Sequence, residues 1–153
     1  MSNFQADDLK WMKEALILAK EAAQHGEVPV GAVIVHENRL IASGRNTREQ
    51  RQDAVSHAET DAISMACQSL SSWRLTGCTL YVTLEPCIMC AGAIYQARLE
   101  RVVFGAMDPK AGAMGSLYRI HEDTRLNHRL PVDGGILAEE CAAVLKEFFR
   151  ARR

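Results

Sequence analysis

The stretch from residue 79 to residue 105 constrains the chain most. Residues 79–84 (TLYVTL) form a strand-sized run of β-branched and apolar side chains. Pro86 then opens a helix from Cys87 to Ala97, and residues 101–105 (RVVFG) make a second strand. Strand, helix and strand at this spacing imply a parallel pair joined by a right-handed crossover.

The remaining segments extend that unit. Leu9, Met12, Leu16, Ala19 and Ala23 recur at three- and four-residue steps, one apolar helical face, with Asp7 and Asp8 at its positive N-terminal end. Residues 28–35 (VPVGAVIV) and 39–44 (RLIASG), separated by His36-Glu37-Asn38, read as a hairpin of two core strands. The polar stretch 45–56 has no periodicity and reads as a surface loop, with Ser56 as N-cap of a helix running to about Leu70. Residues 106–135, with Gly112, Gly115, Gly134 and Gly135, read as loops around a short helix near residues 116–121. A last helix, residues 137–150, carries Leu137, Cys141, Val144, Leu145, Phe148 and Phe149 on its apolar side. The order α-β-β-α-β-α-β-loop-α gives a mostly parallel or mixed sheet covered by helices. No repeat, linker or low-complexity tract interrupts it, so residues 1–153 read as one domain.

Composition excludes several classes. With 48% hydrophobic and 24% charged residues the chain is neither disordered, collagenous nor coiled-coil. A net charge of −1 excludes a protein that holds nucleic acid by overall positive charge, so any polyanion must meet a local patch. Apolar runs are strand-sized and the first ten residues are acidic where a secretory signal is basic, so a soluble cytoplasmic protein without membrane contact is expected. Five cysteines, an odd number without a secretory signal, argue against a disulfide framework.

Two clusters carry chemistry: His57-Ala58-Glu59 at one helix start and Pro86-Cys87-Ile88-Met89-Cys90 at another. Cys87 and Cys90 share a helix face and can bind one ion, with His57 as the natural third ligand. Three protein ligands leave a fourth position for water, the pattern of catalytic rather than structural zinc. Glu59 lies about 200° around the helix from His57, so the two converge only at the helix end. There the unpaired amides of both helix starts point at the ion and lower thiolate pKa values. Two thiolates and a neutral imidazole leave Zn²⁺ roughly neutral, a modest activator of water, so a general base is required. Glu59 fills that part: it takes a proton from the attacking water, passes it to a ring nitrogen of the substrate, and then protonates the departing amine. A dry pocket that raises its pKa lets one carboxylate do both.

Blander readings stand beside this one. C-x-x-C after a strand is also the thioredoxin arrangement, and taken alone it favours redox as much as zinc. An isolated H-x-E triplet arises readily by chance. Together the clusters match the H-x-E…P-C-x-x-C signature of zinc deaminases, with one Zn²⁺ per subunit.

The chain resembles the cytidine deaminase-like superfamily, and within it the bacterial tRNA-specific adenosine deaminases. The resemblance covers residues 28–35, Asn46, HAE at 57–59, TLYVTLEPCIMCAGAI at 79–94, RVVFGAMDPKAGAMGSL at 101–117, LNHR at 126–129 and GGILAEECAAVLKEFFRARR at 134–153. It implies a three-layer α/β/α fold around a mixed five-stranded sheet, a homodimer, and hydrolytic deamination of adenosine to inosine at the wobble position of a tRNA anticodon stem-loop. By the same resemblance His57, Cys87 and Cys90 are zinc ligands and Glu59 the proton shuttle, while Asn46 and the Ala58 backbone hold the base. Asp108, Lys110, Asn127, His128, Arg129, Phe149 and Arg150 are implied RNA contacts. The runner-up is a deaminase of a free nucleobase or nucleoside such as guanine, cytosine or cytidine. The chain departs from the family pattern at Ala54-Val55-Ser56, at Thr60, and at Tyr95-Gln96.

Charge is polarised in a way that suits RNA. Residues 1–97 carry 8 basic and 11 acidic groups, and residues 98–153 carry 10 and 8. The tail Phe148-Phe149-Arg150-Ala151-Arg152-Arg153 combines aromatic faces with cations, as single-strand readers do, although the same arginines equally suit a solvated helix end. Phe148 and Phe149 are adjacent and cannot share a helix face, so one packs inward and the other is free. His25, His36, His121, Met107 and Met114 read as structural or surface residues.

Overall fold

In the computed structural model, which describes residues 4–152, the chain runs α1 (Asp8–Gln24), β1 (Gly31–His36), β2 (Arg39–Arg45), α2 (Arg48–Arg51), α3 (Ala58–Leu70), β3 (Cys78–Leu84), α4 (Ile88–Ala97), β4 (Arg101–Ala106), a 3-10 turn (Ile120–Glu122), β5 (Val132–Gly134) and α5 (Ala138–Arg150). The strands lie in the order β2-β1-β3-β4-β5. β1 is antiparallel to both neighbours, while β3, β4 and β5 are parallel. The sheet is therefore mixed, with the crossover at β3-α4-β4 that the sequence predicts.

Alternation along the strands builds two cores. Ala32, Ile34, Leu80, Val82, Val102 and Phe104 face α3 and α4, while Val33, Val35, Tyr81 and Val103 face α1 and α5. Both faces are covered, which is why these strands read as continuous apolar runs rather than alternating ones. Close approach needs small residues at two points. A Cβ at Gly31 would stand 2.0 Å from the Ala15 carbonyl of α1, and one at Gly44 would stand 2.3 Å from the Ala58 carbonyl, so β2 fixes where α3 begins.

The opposite end of the sheet from that junction is closed by a polar cluster. Asp8, fully buried, takes two hydrogen bonds of 2.8 Å from the Arg101 guanidinium and one of 2.7 Å from the Tyr81 hydroxyl. Burial raises the Asp8 carboxyl, and the bonds from Arg101, Gln5 N–H and Tyr81 together bring it below its ordinary value.

Several local expectations are corrected. The buried face of α1 is Trp11, Met12, Ala15, Leu16, Ala19 and Ala22, and Leu9 is exposed. Asp8 serves the buried ion pair rather than the helix dipole alone. His57, not Ser56, is the N-cap of α3, and Cys87 is the N-cap of α4. The loop 45–56 contains the short α2, the helix near 116–121 shrinks to the 3-10 turn, and β5 is the fifth strand that the resemblance implies, at a place the residue pattern left as loop. Of the aromatic pair, Phe148 is buried and Phe149 exposed. All five cysteines are free thiols. Among the described residues no helix is long and apolar enough to cross a membrane.

Candidate active site

The site lies at the carboxyl ends of β3 and β4, where ligands of sheets with helices on both faces ordinarily bind. Two helix starts meet there. The backbone N–H of His57 donates to Thr60 Oγ1 at 3.0 Å, half of a capping box that fixes the entry to α3. Asp61 ties down the preceding loop, accepting from Ser56 Oγ at 3.1 Å and from Thr47 Oγ1 at 3.2 Å. On the other helix, Cys87 caps α4 and Cys90 follows in its first turn.

His57 Nδ1 is 3.4 Å from Cys90 Sγ and 3.8 Å from Cys87 Sγ, and all three donor atoms lie within 4.8 Å of one another. Zinc bond lengths at tetrahedral angles require ligand separations of about 3.6–3.8 Å, so the donor set fits that ion in both chemistry and size. The three groups also interact with one another. Hydrogen bonding from Cys90 and His57 takes the Cys87 thiol down to about 4, the Cys87 sulfur raises His57, and Cys90 is raised. Glu59, also buried, is pushed up to about 7 chiefly by desolvation. A carboxyl poised there can both accept and give a proton near neutral pH.

These groups sit in a cleft of about 180 Å³. Val28 and Val30 form an apolar side, Asn46 and Arg48 one wall, and Asp108 and Ala111 the other. Asn46 is locked: its Nδ2 donates to the Val28 carbonyl at 3.2 Å and its Oδ1 accepts from Arg48 N–H at 3.1 Å. The first wall is also held from behind by fully buried Glu27, whose carboxylate accepts from the N–H groups of Glu49 at 3.0 Å and Gln50 at 2.7 Å. The second is held by buried Glu85, which accepts from Asp108, Met114 and Ser116 N–H and from the Ser116 hydroxyl. Burial raises the Glu85 carboxyl, but these bonds together bring it below its usual range.

His57, Ala58, Glu59, Cys87, Asn46 and Asp108 thus line one cleft, with Cys90, the third donor, buried behind it. The other predicted contacts lie outside it. Lys110 is exposed next to the second wall. Asn127, His128 and Arg129 lie in the loop before β5, docked by His128 Nε2 on the Leu99 carbonyl at 2.8 Å and by Asn127 N–H on the Tyr95 hydroxyl at 3.4 Å. Exposed Phe149 and Arg150, the latter paired with Glu147, end α5. Next to them the Arg152 guanidinium lies 3.6 Å from the Phe148 ring centroid and reaches Gly26, close to the Glu27 that backs the first wall.

Sequence reasoning missed Glu27, Glu85, Arg48 and Ala111, and took Val28 and Val30 only as core. A carboxylate set against an apolar strand, as in Glu27-Val28-Pro29-Val30 and Leu84-Glu85-Pro86, was the available signal.

Comparison with known proteins agrees with this geometry. The family model of the MafB19-like deaminases matches residues 6–153. A tRNA-specific adenosine deaminase of Bacillus subtilis (strain 168) is 51% identical over 146 residues, covering 95% of this chain and 91% of the relative. A structure solved in studies of A-to-I editing by tRNA:A34 deaminases at the wobble position of transfer RNA superposes with a TM-score of 0.86 at 43% identity, over 89% of this chain and 99% of that one. A guanine deaminase from Nitrosomonas europaea reaches a TM-score of 0.80 at 23% identity, over 97% and 87%, a likeness of fold alone. The chain belongs to the MafB19-like deaminase family and groups with its tRNA-specific adenosine deaminases.

Proposed function

We propose that this chain hydrolyses adenosine to inosine at the wobble position of a tRNA anticodon, releasing ammonia, with one zinc ion per subunit. The observation that carries the reading is the meeting of His57, Cys87 and Cys90 with buried Glu59 in one cleft, in a chain about half identical to tRNA-specific adenosine deaminases. His57 Nδ1 and the two sulfurs would hold the ion, which when bound lowers the pKa of a water that attacks C6 of the base. Glu59 accepts one proton of that water and delivers it to ring nitrogen N1, then takes the second proton from the hydroxyl added at C6 and passes it to the amine, which leaves as ammonia as the C6 carbonyl forms. Val28 and Val30 contact the face of the base, while the fixed amide of Asn46 and the backbone of Ala58 meet its polar edge. The cleft is smaller than a drug-sized pocket, so it admits one extruded nucleotide and not a paired stem.

Asp108 and Lys110 at the mouth, Asn127, His128 and Arg129 before β5, and Phe149 and Arg150 at the end of α5 supply the contacts to the anticodon loop. The chain works as a homodimer in the cytoplasm, where its substrate is found. The test is deamination of an anticodon stem-loop carrying adenosine at the wobble position, with zinc measured in parallel and with free adenosine, guanine, cytosine and cytidine run alongside. Inosine formed in the stem-loop at one zinc per chain is the expected result. Ammonia released from the free bases and none from the stem-loop would overturn the substrate assignment, and a monomeric mass in solution would remove the dimer.

A further inference from the structure

Glu85 stands between β3 and the metal donor Cys87, yet its carboxylate makes no hydrogen bond to the segment that carries the donors, among the described residues. Every bond crosses to the loop after β4. Oε1 accepts from Asp108 N–H at 3.0 Å and from the Ser116 hydroxyl, and Oε2 accepts from Met114 N–H at 3.1 Å and Ser116 N–H at 2.9 Å. Gly112, in the middle of the same loop, lies so close that a Cβ there would stand 2.3 Å from the carboxylate carbon. The order imposed at Asp108 is passed on, because its Oδ1 accepts from Lys110 N–H at 3.1 Å and Ala111 N–H at 3.2 Å. Asp108 and Ala111 follow β4 and Asn46 and Arg48 follow or adjoin the end of β2, so in the strand order β2-β1-β3-β4 they flank the cleft, and Glu85 lines it at the end of β3 between them.

We propose that Glu85 is a positioning residue for the substrate: its carboxylate sets where the 108–111 wall stands against the bound nucleotide, and so governs capture of the RNA without holding the metal or moving a proton. The proposal rests on the deaminase reading of the cleft. The 108–111 wall supplies neither a metal donor nor the proton shuttle, and the loop meets the donor segment only beyond it, at the Cys87–Gly112 backbone bridge and the 2.8 Å bond from Ala113 N–H to the Pro86 carbonyl. Displacing the wall with these in place weakens binding of the ground state and the transition state alike, which appears in KM and not in kcat.

A neutral amide at this position tests the idea with little damage to the fold. In Glu85→Gln the amide NH2 would face two fixed N–H donors at the Oε2 position, from Met114 and Ser116. At the Oε1 position it would face only Asp108 N–H and a hydroxyl that can turn to accept. The amide therefore takes the second orientation, and the one group left without its acceptor is Asp108 N–H. Gly112→Ala disturbs the same contact from the other side, by pushing the loop off the carboxylate.

The experiment is steady-state deamination of the wobble-adenosine stem-loop by the zinc-loaded wild type, Glu85→Gln, Gly112→Ala and the double variant, with zinc content measured for each. Expected are a KM raised about tenfold in each single variant, kcat within about threefold, and one zinc per chain throughout. The double variant should be no worse than the worse single one, because both remove one contact. A fall in kcat or in zinc of Glu85→Gln at unchanged KM would assign the carboxylate to the metal segment and overturn the proposal, as would kinetics unchanged in every variant. A wild type inactive on the stem-loop would sink the reading of the cleft instead. The same KM shift is then expected on whichever free base the wild type deaminates, and its absence there would overturn the proposal too.

Discussion

Replacing Arg101 with methionine should cost the fold about 3–4 kcal/mol and leave the chemistry intact. The Arg101 side chain is 7% exposed and that of Asp8 0%. Two bonds of 2.8 Å join the guanidinium to the two oxygens of Asp8, and Nε and Nη2 reach Asp133 Oδ2 at 3.2 and 3.0 Å. Methionine fills much of the same volume, so the loss is electrostatic: a carboxylate stays buried without its cation. Removing one partner of such a pair costs about 3–5 kcal/mol. The lower part of that range applies because the Tyr81 hydroxyl and Gln5 N–H still support Asp8, and Asp133, 14% exposed, can turn to water. At about 2.1 cal/mol/K per residue this chain unfolds with an entropy near 0.3 kcal/mol/K, so the midpoint should fall by roughly 10 °C.

The effect carries a pH signature. In the wild type the bonds to Asp8 outweigh burial and hold its pKa below the unfolded value, so its contribution is present above that value and lost as pH falls through the folded one. In the variant burial remains while the largest of those bonds is gone. The pKa of Asp8 then rises above its ordinary value, and protonation relieves the variant as pH falls. The gap between the two proteins should therefore narrow from pH 7 to pH 5. Urea unfolding of the zinc-loaded proteins, followed by circular dichroism across that range, measures it. A gap under 1 kcal/mol at pH 7, a gap independent of pH, or an Asp8→Asn/Arg101→Met double variant no more stable than Arg101→Met would refute the reasoning. Arg101 opens β4 while the cleft lies past its other end, about 16 Å away, so kcat measured well below the midpoint should stay within about twofold.

Further outcomes follow from the site. Glu59→Ala should keep one zinc per chain and lose about 10²–10⁴ in kcat, because it removes a proton carrier and no donor; a variant purified without metal contradicts the assignment. Cys87→Ala should lose zinc and unfold at lower temperature, as metal analysis and a melt of the same sample will tell, since the ion links two helix starts. Burial raises Glu59 from 4.5 to about 7, so its contribution to stability is full below pH 4.5 and lost as pH rises through 7. Chelator-treated Glu59→Gln should accordingly gain on the chelator-treated wild type by up to about 3 kcal/mol between pH 5 and 8, and a constant difference in urea midpoints rejects that sign. Phe149→Ala, at a side chain 48% exposed, should raise KM for the stem-loop at least about fivefold, the loss of one stacked base, while losing its edge contact with the Phe148 ring moves the melting midpoint by no more than about 5 °C.

What could be read in the sequence was what depends on near neighbours. His57, Cys87 and Cys90 were legible because helix starts and three-residue spacing are local facts, and the β3-α4-β4 crossover because each element is longer than five residues. Phe148 and Phe149 were separable into one buried and one exposed ring by adjacency alone. β5 was not legible, since Val132–Gly134 is a three-residue strand ending in glycine and exists only through its pairing with β4. Asp8 was read as a helix-dipole residue because its partner Arg101 lies 93 positions away.

The same distinction accounts for Glu27 and Glu85. Each is a carboxylate bound chiefly by backbone N–H groups 22 or more residues further on, those of α2 for Glu27 and those of the loop after β4 for Glu85, and backbone donors leave little trace in the sequence. Binding through the backbone has a consequence for variation. A wall held mainly by its N–H groups keeps its place through most changes of its side chains, provided that Gly112 leaves room for the carboxylate and that Asp108 and Ser116 keep their own bonds. The departures from the family pattern obey a similar rule. Ser56 and Thr60 spend their hydroxyls on Asp61 and on the backbone of His57, and Tyr95 spends its hydroxyl on Asn127 N–H. These substitutions therefore rework the supports of the cleft and of the 127–129 loop while leaving the three donors and Glu59 in place, so differences from related enzymes should appear in RNA preference before they appear in the chemical step.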